Sequence, residues 1–300
     1  MGNTWLIFGK VPPPHGGVTI SVLNLINSLK FHGYNVVLAN FRSLCTVKKY
    51  SVSHINYSKP LFRCLAVLLG RLFSKKVVFV VHGEKFDKSN LWNIISLKFV
   101  NHVQVLNDTA FKQVSDDKAF LCPPIFKEGM EKEKFKSNGD EERDILFYIS
   151  SGNKKDIYSI YGVDYIAEIV DRIHHRFLIT IIDVSGEFRD TKQFRYSSVK
   201  YIGEGVDFIS KLACHKLYIR PTRTDGNSVA ILESLVCGTP VLASDCVKRP
   251  DGVITYDFSD LTSLEEIIEQ AHNSIPSVNI PSVTYLMESI TDGNLSDEIK

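Results

Sequence analysis

The segment that follows Arg220 places two acidic side chains around a loop that could begin a helix. Asp225 precedes a Gly-Asn-Ser turn, and Glu233 lies about one turn into the predicted helix. Asn227 or Ser228 would cap that helix, whose first N–H groups and positive dipole end suit a diphosphate. Carboxylates accept hydrogen bonds from vicinal sugar hydroxyls, each bond to a charged group being worth roughly 1.5–3 kcal/mol. The segment predicts a phosphate and sugar site, and the alternative is an ordinary helix N-terminus with a capping acid.

Three further segments carry residues that could face a ligand. Gly16 and Gly17 follow a Pro-Pro-Pro-His run, and paired glycines let the backbone approach a ligand closely, although a plain strand–helix turn has the same pattern. His82 ends an apolar strand, where it either faces a ligand or is a satisfied structural histidine. The third segment is a polar turn that contains Gly152, Lys154 and Lys155.

Strand and helix patterns alternate through the first half of the chain. The predicted strands are Trp5–Phe8, Asn35–Ala39, Val77–Val81 and Val103–Leu106, and the predicted helices are Val18–Leu29, Leu61–Leu72 and Leu91–Phe99. Short apolar strands separated by helices indicate a parallel sheet that is covered on both faces.

The same alternation resumes after a polar stretch from Lys127 to Arg143. The predicted strands are Ile145–Ile149, Leu178–Asp183, Leu217–Ile219 and Pro240–Ala243, and the predicted helices are Asp164–Ile173, Val229–Cys237 and Leu264–Ala271. We therefore predict an α/β protein with two Rossmann-like, doubly wound domains facing each other across a cleft. The domains are 1–127 and 144–280, with a linker at 128–143 and a C-terminal helix at 281–300 that returns to the first domain.

Charge and cysteine usage narrow the function class. Residues 1–124 carry fifteen Lys or Arg and five Asp or Glu, a net charge of +10, whereas the whole chain has a net charge of +1. A basic half suits an anionic partner, or it attracts the acidic half across a cleft. The six cysteines are scattered, without metal-ligand spacing, and indicate reduced thiols in the cytoplasm. We expect no signal peptide, metal site or nucleic-acid partner.

The helix that Lys59 and Lys76 delimit interleaves basic residues with leucines. Such a basic amphipathic pattern suits the anionic inner face of a cell membrane, and it equally suits a core helix with solvated ends. Together with the basic first half, it predicts peripheral contact with an anionic membrane.

The Asp225–Glu233 segment, with Gly238-Thr239-Pro240-Val241 after it, resembles the retaining glycosyltransferases of the family 4 type, which have the GT-B fold. The usual signature is an acidic residue, seven residues and then Glu, and here Asp225 replaces the usual first Glu. Arg220-Pro221-Thr222 and the later Lys248–Gly252 stretch look like a bacterial surface-polysaccharide subset of that family. The resemblance covers nearly the whole chain.

The resemblance implies a role for each matching residue. Glu233 would hold the nucleotide ribose, and Asp225 and His82 would act at the transferred sugar as catalytic residues. Main-chain N–H groups from Gly226, Asn227, Ser228 and Val229 would meet sugar and phosphate, beside the Gly16–Gly17 loop. The Arg and Lys that usually neutralise the diphosphate are altered here, so Lys154, Lys155 or Arg220 would replace them beside Gly152.

The implied reaction moves a hexosyl group from a nucleoside diphosphate sugar to a glycan or undecaprenyl-linked acceptor, with retention at the anomeric carbon. The setting implied is bacterial O-antigen, capsule or lipopolysaccharide assembly, without a cofactor or metal. Two alternatives remain open: a sugar-nucleotide epimerase of the same fold, and a catalytically silent subunit that binds a sugar nucleotide and supports a partner transferase.

Overall fold

A computed structural model of the chain describes residues 4–13, 17–40, 44, 50–83, 86–125, 141–203, 205–225, 228–258, 260–274 and 283–292. The chain divides into two compact units, Met1–Glu128 with Ile280–Lys300, and Gly129–Asn279. Among the described helices, none is both long and apolar enough to span a membrane.

The first unit contains a six-stranded parallel sheet in the order β2-β1-β3-β4-β5-β6. Its strands are β1 (Thr4–Phe8), β2 (Asn35–Leu38), β3 (Tyr50–Ile55), β4 (Ser74–Val81), β5 (His102–Val105) and β6 (Ala119–Leu121). The helices between them are α1 (Gly17–Phe31), α2 (Pro60–Phe73), α3 (Leu91–Phe99) and α4 (Asp108–Val114).

The second unit contains another six-stranded parallel sheet, in the order β12-β11-β10-β7-β8-β9. Its strands are β7 (Arg143–Ile149), β8 (Ile179–Asp183), β9 (Val199–Ile202), β10 (His215–Arg220), β11 (Val241–Ser244) and β12 (Val253–Tyr256). Its helices are α5 (Lys154–Tyr161), α6 (Val163–Ile173), α7 (Phe208–Ala213), α8 (Val229–Val236) and α9 (Leu264–His272), with one 3₁₀ turn at Lys192–Arg195.

The last described helix, α10 (Val283–Asp292), packs in the first unit. Leu286 and Ile290 join the apolar cluster that Trp5 and Ile7 form with α1. The Tyr285 hydroxyl also donates a hydrogen bond to the Leu121 carbonyl at 3.1 Å.

Side-chain alternation along β1 separates the two faces of the first sheet. Trp5 and Ile7 pack with α1 and α10 on one face, whereas Leu6 and Phe8 pack on the other face with the cluster that contains Ala66 of α2. Burial on both faces explains why these strands read as apolar runs rather than as alternating patterns.

The predicted fold class is confirmed, since both halves are parallel sheets with helical connections. The sequence pattern did not predict β3, β6, β9, β12, α4, α5 or α7. In β3 the polar residues Ser53 and His54 are buried because each has a partner, with Ser53 Oγ 2.6 Å from Ser74 Oγ and His54 Nε2 2.9 Å from Gln104 Oε1. Most of the predicted linker lies outside the described residues.

Candidate functional site

The candidate donor site lies in the second unit, where β10 ends and α8 begins. Gly226 and Asn227 lie outside the described residues. Ser228 caps α8, because its side-chain oxygen accepts a hydrogen bond from the Ile231 N–H at 3.4 Å. Val229 is the first helical residue, so the helix begins where the sequence predicts it. The first turn of α8 therefore points its N–H groups toward the end of β10, where anions bind in parallel sheets.

Glu233 has a buried carboxyl group in the second turn of α8. No group among the described residues donates a hydrogen bond to it. Burial, and secondarily the negative charge of Asp207, raises the pKa of Glu233 to about 8. The carboxyl group therefore keeps its proton at neutral pH, because ionisation without hydrogen-bond donors is unfavourable in a buried position. A ligand that presents hydroxyl donors at this position would relieve that cost.

Asp225, in contrast, has both oxygens engaged by arginines. Arg220 donates from Nε to Oδ2 at 2.6 Å and from Nη2 to Oδ1 at 2.9 Å, and Arg249 donates from Nη1 to Oδ2 at 2.6 Å. Burial opposes ionisation of Asp225, but the charges and hydrogen bonds of the two arginines outweigh it and lower its pKa below the ordinary value. The carboxylate is therefore ionised, and it holds the loop that precedes α8.

Arg220 has two further contacts besides Asp225. Its Nη1 donates to the Tyr218 hydroxyl at 3.2 Å, and its guanidinium lies 5.2 Å from the centre of the Tyr161 ring. Although burial disfavours the charge, Asp225 raises the pKa of Arg220 well above its ordinary value. Arg220 thus neutralises Asp225, and its action on a diphosphate stays a prediction.

Arg249 is a site residue to which sequence reasoning assigned no role. Its Nε donates to the Ser244 carbonyl at 2.9 Å and its Nη2 to Thr222 Oγ1 at 3.2 Å, in addition to the Asp225 bond. It therefore ties the loop after β11 to the loop after β10. The signal in the sequence was an arginine shortly after the carboxyl end of a predicted strand, within the Lys248–Gly252 stretch.

Tyr148 lies close to both Glu233 and Arg220. Its pKa is raised mainly by burial, although a hydrogen bond with Ser150 lowers it, and the charges of Glu233 and Arg220 make smaller, opposing contributions. Tyr148 lies in β7, beside β10 in the sheet. The structure thus gathers Glu233, Tyr148 and the Arg220–Asp225–Arg249 cluster in one region of the second unit.

The predicted lysines lie at the start of α5, in an open pocket of about 460 Å³ lined by Asn153, Lys154, Lys155, Tyr158 and Phe188. Lys154 Nζ contacts the Glu187 carboxylate at 3.2 Å, and Lys155 is exposed. A Cβ on Gly152 would lie 3.0 Å from the Ile157 side chain, which would have to shift to accommodate it. An anion in the pocket would meet both ammonium groups and the helix N-terminus.

His82 belongs to the first unit, where it directly follows β4. Its Nε2 is buried and has no hydrogen-bond partner among the described residues. Burial, followed by the nearby His54 and Arg63, lowers the pKa of His82 to about 4, so the ring is neutral at physiological pH. Gly17 is the exposed first residue of α1, and Gly16 lies outside the described residues.

Arg63 of α2 explains part of the electrostatics around His82. It is buried, with its guanidinium 5.1 Å from the ring centres of both Phe79 and Phe86, and it donates to Asn93. Within the described ranges, no three His, Cys, Asp or Glu side chains lie close enough together to hold a metal ion.

No protein-family model matches this chain, and a search of curated proteins found no match. Several solved structures are similar in fold. HepE of Anabaena in complex with UDP and glucose is 13% identical, with a TM-score of 0.62 and 90% of each chain covered. A glycosyltransferase from Rickettsia africae is 13% identical, with a TM-score of 0.63 and coverage of 90% of this chain and 88% of the other.

The catalytic domain of starch synthase IV from Arabidopsis thaliana, bound to ADP and acarbose, is also similar. It is 12% identical, with a TM-score of 0.60 and coverage of 91% of this chain and 92% of the other. Together with the two parallel six-stranded sheets, these likenesses show a two-domain α/β fold of the GT-B type.

Proposed function

We propose that this chain is a retaining glycosyltransferase that moves a hexosyl group from a nucleoside diphosphate sugar to a glycan or lipid-linked glycan. The observation that carries the proposal is Glu233, whose buried carboxyl group has no hydrogen-bond donor among the described residues and lies in the helix after β10 of a GT-B fold. The solved structures with UDP and glucose, and with ADP and acarbose, support a nucleotide-sugar donor.

Glu233 is suited to a ribose because vicinal hydroxyls supply two donors in the geometry that one carboxylate accepts. Hydrogen bonds to a charged group contribute roughly 1.5–3 kcal/mol each, so two of them outweigh the roughly 1.4 kcal/mol that is needed at pH 7 to ionise a carboxyl group whose pKa is about 8. The N–H groups at the start of α8 then lie on the side where the diphosphate would follow.

The Arg220–Asp225–Arg249 cluster gives the donor loop a net positive charge. One carboxylate and two guanidinium groups sum to +1 within a buried region. A diphosphate leaving group carries negative charge that grows as the sugar departs, so a fixed positive charge nearby favours the transition state. We propose that Asp225 acts mainly by fixing these arginines and the loop before α8, and that its direct contact with the sugar is secondary.

We further propose that the reaction needs no metal, because charge on the leaving diphosphate is met by arginines, lysines and helix N–H groups. The setting we infer is the cytoplasm, where the free thiols of Cys64, Cys122, Cys214 and Cys237 stay reduced. Assembly of a bacterial surface polysaccharide is the role that fits a lipid-linked glycan acceptor.

The first experiment is thermal unfolding of the purified chain with UDP-, GDP- and dTDP-sugars. A donor at about a hundred times its dissociation constant adds about 2.7 kcal/mol of stability. We expect stabilisation by one nucleotide family, strongly reduced in Glu233→Gln and unchanged in Glu266→Gln, an exposed glutamate of α9. Well-folded protein that no nucleotide stabilises would refute the donor site.

Turnover separates the enzyme from its alternatives. Incubation of the stabilising donor with lipid-linked glycan extracts, in EDTA, should transfer the labelled sugar, and NMR of the product should show the anomeric configuration of the donor. An altered donor sugar without acceptor would indicate an epimerase. Donor binding without any turnover, restored by a partner protein, would indicate a silent subunit.

A further inference from the structure

Helix α2 buries its small apolar side chains and exposes its large ones. Its buried face carries the small residues Cys64, Ala66, Val67 and Gly70 together with Arg63. Its exposed face carries the large ones, namely Leu61, Phe62, Leu65, Leu68, Leu69 and Leu72. A helix that covers a sheet normally buries its largest apolar residues, so the outer face of α2 is built for another partner.

The small inner face follows from how closely α2 approaches the sheet. A Cβ added to Gly70 would lie 3.0 Å from the Ser53 Cβ of β3 and 3.3 Å from the Val77 side chain of β4. At Gly70, therefore, no side chain fits between the helix and the sheet, and Arg63 and Val67 occupy other positions of the inner face. The large leucines lie on the opposite side of α2 and are exposed.

Helix α3 extends the same surface. It packs against α2, and its exposed large side chains are Leu91, Trp92, Ile94 and Phe99. Both helices cover one face of the sheet, because β3, β4 and β5 are consecutive neighbours joined by right-handed crossovers in one direction. The ten exposed side chains form what we call the α2–α3 surface, and a contiguous apolar patch of this kind marks an interaction site.

The charge around the α2–α3 surface is basic. No acidic residue occurs from Lys59 to Gly83, and the exposed cations Lys59, Arg71, Lys75 and Lys98 outnumber the exposed Asp87 that precedes α3. Long basic side chains can lay their methylene stems on an apolar layer while their charges reach lipid headgroups, and Trp prefers the same depth.

We propose that the α2–α3 surface binds an anionic lipid bilayer, with both helices lying in the plane of the membrane interface. Apolar burial supplies the affinity, and the basic rim selects anionic lipid. A second copy of this chain is the less suitable occupant, because a twofold contact through one surface brings like-charged rims together. The inference concerns a surface separate from Glu233 and does not rest on the proposed function.

Vesicle flotation tests the proposal with a matched pair of variants. Phe62 is 54% exposed and Leu72 is 72% exposed on the α2–α3 surface, whereas Phe31 is 66% exposed at the end of α1 on the opposite face of the sheet. We expect the wild type to float with phosphatidylglycerol-containing vesicles and much less with phosphatidylcholine alone. The Phe62→Ser/Leu72→Ser variant should lose at least tenfold in partitioning, and Phe31→Ser should behave as the wild type.

The charge requirement is tested separately by Lys59→Glu/Lys75→Glu. This variant leaves the apolar side chains in place and should lose binding to the anionic vesicles, as should the wild type in high salt. Equal binding of the wild type to neutral and anionic vesicles at all salt concentrations would overturn the proposal.

Trp92 provides an internal probe, since the only other tryptophan, Trp5, is fully buried. Emission should shift to shorter wavelength with anionic vesicles and be quenched by brominated lipid, and Trp92→Phe should abolish both changes. The proposal is overturned if the emission of wild-type protein is insensitive to vesicles. It is also overturned if sedimentation shows a dimer that Phe62→Ser/Leu72→Ser disrupts while no vesicle binding occurs.

Discussion

Replacing Glu233 with glutamine tests the central electrostatic feature of the proposed donor site. Glutamine keeps the size and shape of the side chain but cannot ionise. In the folded protein, burial and the Asp207 charge raise the pKa of Glu233 to about 8, whereas its ordinary value is 4.5. The folded state therefore binds a proton that the unfolded chain has lost, between about pH 4.5 and pH 8.

This difference fixes the sign of the pH dependence. Because the folded state holds more protons in that range, the free energy of unfolding decreases as the pH rises through it. At 1.36 kcal/mol per pKa unit, the contribution of Glu233 changes by about 2 kcal/mol between pH 6 and pH 8, with a ceiling of about 5 kcal/mol above pH 8. Both values are upper bounds, since water that enters around the ionised carboxylate reduces them.

Urea unfolding without nucleotide at pH 6 and pH 8 measures this change. We expect Glu233→Gln to gain about 2 kcal/mol relative to the wild type between the two pH values, in the transition of the second unit. Glu266→Gln should follow the wild type, because Glu266 is exposed. If the stabilities of the wild type and Glu233→Gln depend on pH in parallel, Glu233 is hydrated in the folded protein and its pKa is not raised by burial.

The same titration predicts proton release on donor binding. At pH 7 the free carboxyl is mostly protonated, and ribose hydroxyls that donate to the ionised form would lower its pKa. Calorimetry in buffers of different ionisation enthalpy should show up to one proton released by the wild type and none by Glu233→Gln. Proton uptake, or equal release by both proteins, would contradict hydroxyl donation to Glu233.

Three further predictions concern the surrounding framework. Arg249→Met should lower the free energy of unfolding in urea by about 3 kcal/mol. This value is at the low end for a broken buried ion pair because Arg220 still holds Asp225. An unchanged unfolding midpoint would show that the cluster does not hold the loop. Gly162→Ala should lower the free energy of unfolding by well over 2 kcal/mol, because its Cβ would lie 2.5 Å from the Pro221 carbonyl oxygen. Gly186→Ala is the control, since Gly186 has a similar positive φ but open space around it, and it should cost only about 1–2 kcal/mol. Equal losses of stability in the two variants would contradict the clash. His82→Gln should reduce turnover with unchanged donor affinity, and its pH–rate profile should parallel the wild type above pH 5.5, because His82 titrates near pH 4.

Local patterns were sufficient for the repeated parallel architecture and for the start of α8. Apolar runs such as Val77–Val81, bounded by helical patterns, predict buried parallel strands, and the sequence offered Asn227 or Ser228 as the cap of a helix that begins at Val229. The polar strand β3 could not be predicted, because Ser53 and His54 are acceptable in a core only beside Ser74 and Gln104, which lie 21 and 50 residues away.

In the candidate site, too, some features follow from local sequence and others depend on long-range contacts. Residue type and spacing are local properties, so they were enough to predict two acidic side chains around a helix start after a strand. The difference between these side chains comes from the fold: Asp225 is ionised between two arginines, whereas Glu233 is buried without hydrogen-bond donors among the described residues. The pKa of a carboxyl depends on charges and solvent that distant segments supply, and Arg249 reaches Asp225 from another strand end. The exposure of the leucines of α2 also depends on tertiary structure, because the helix lies against the sheet through its other face, where Gly70 is close to Ser53 and Val77.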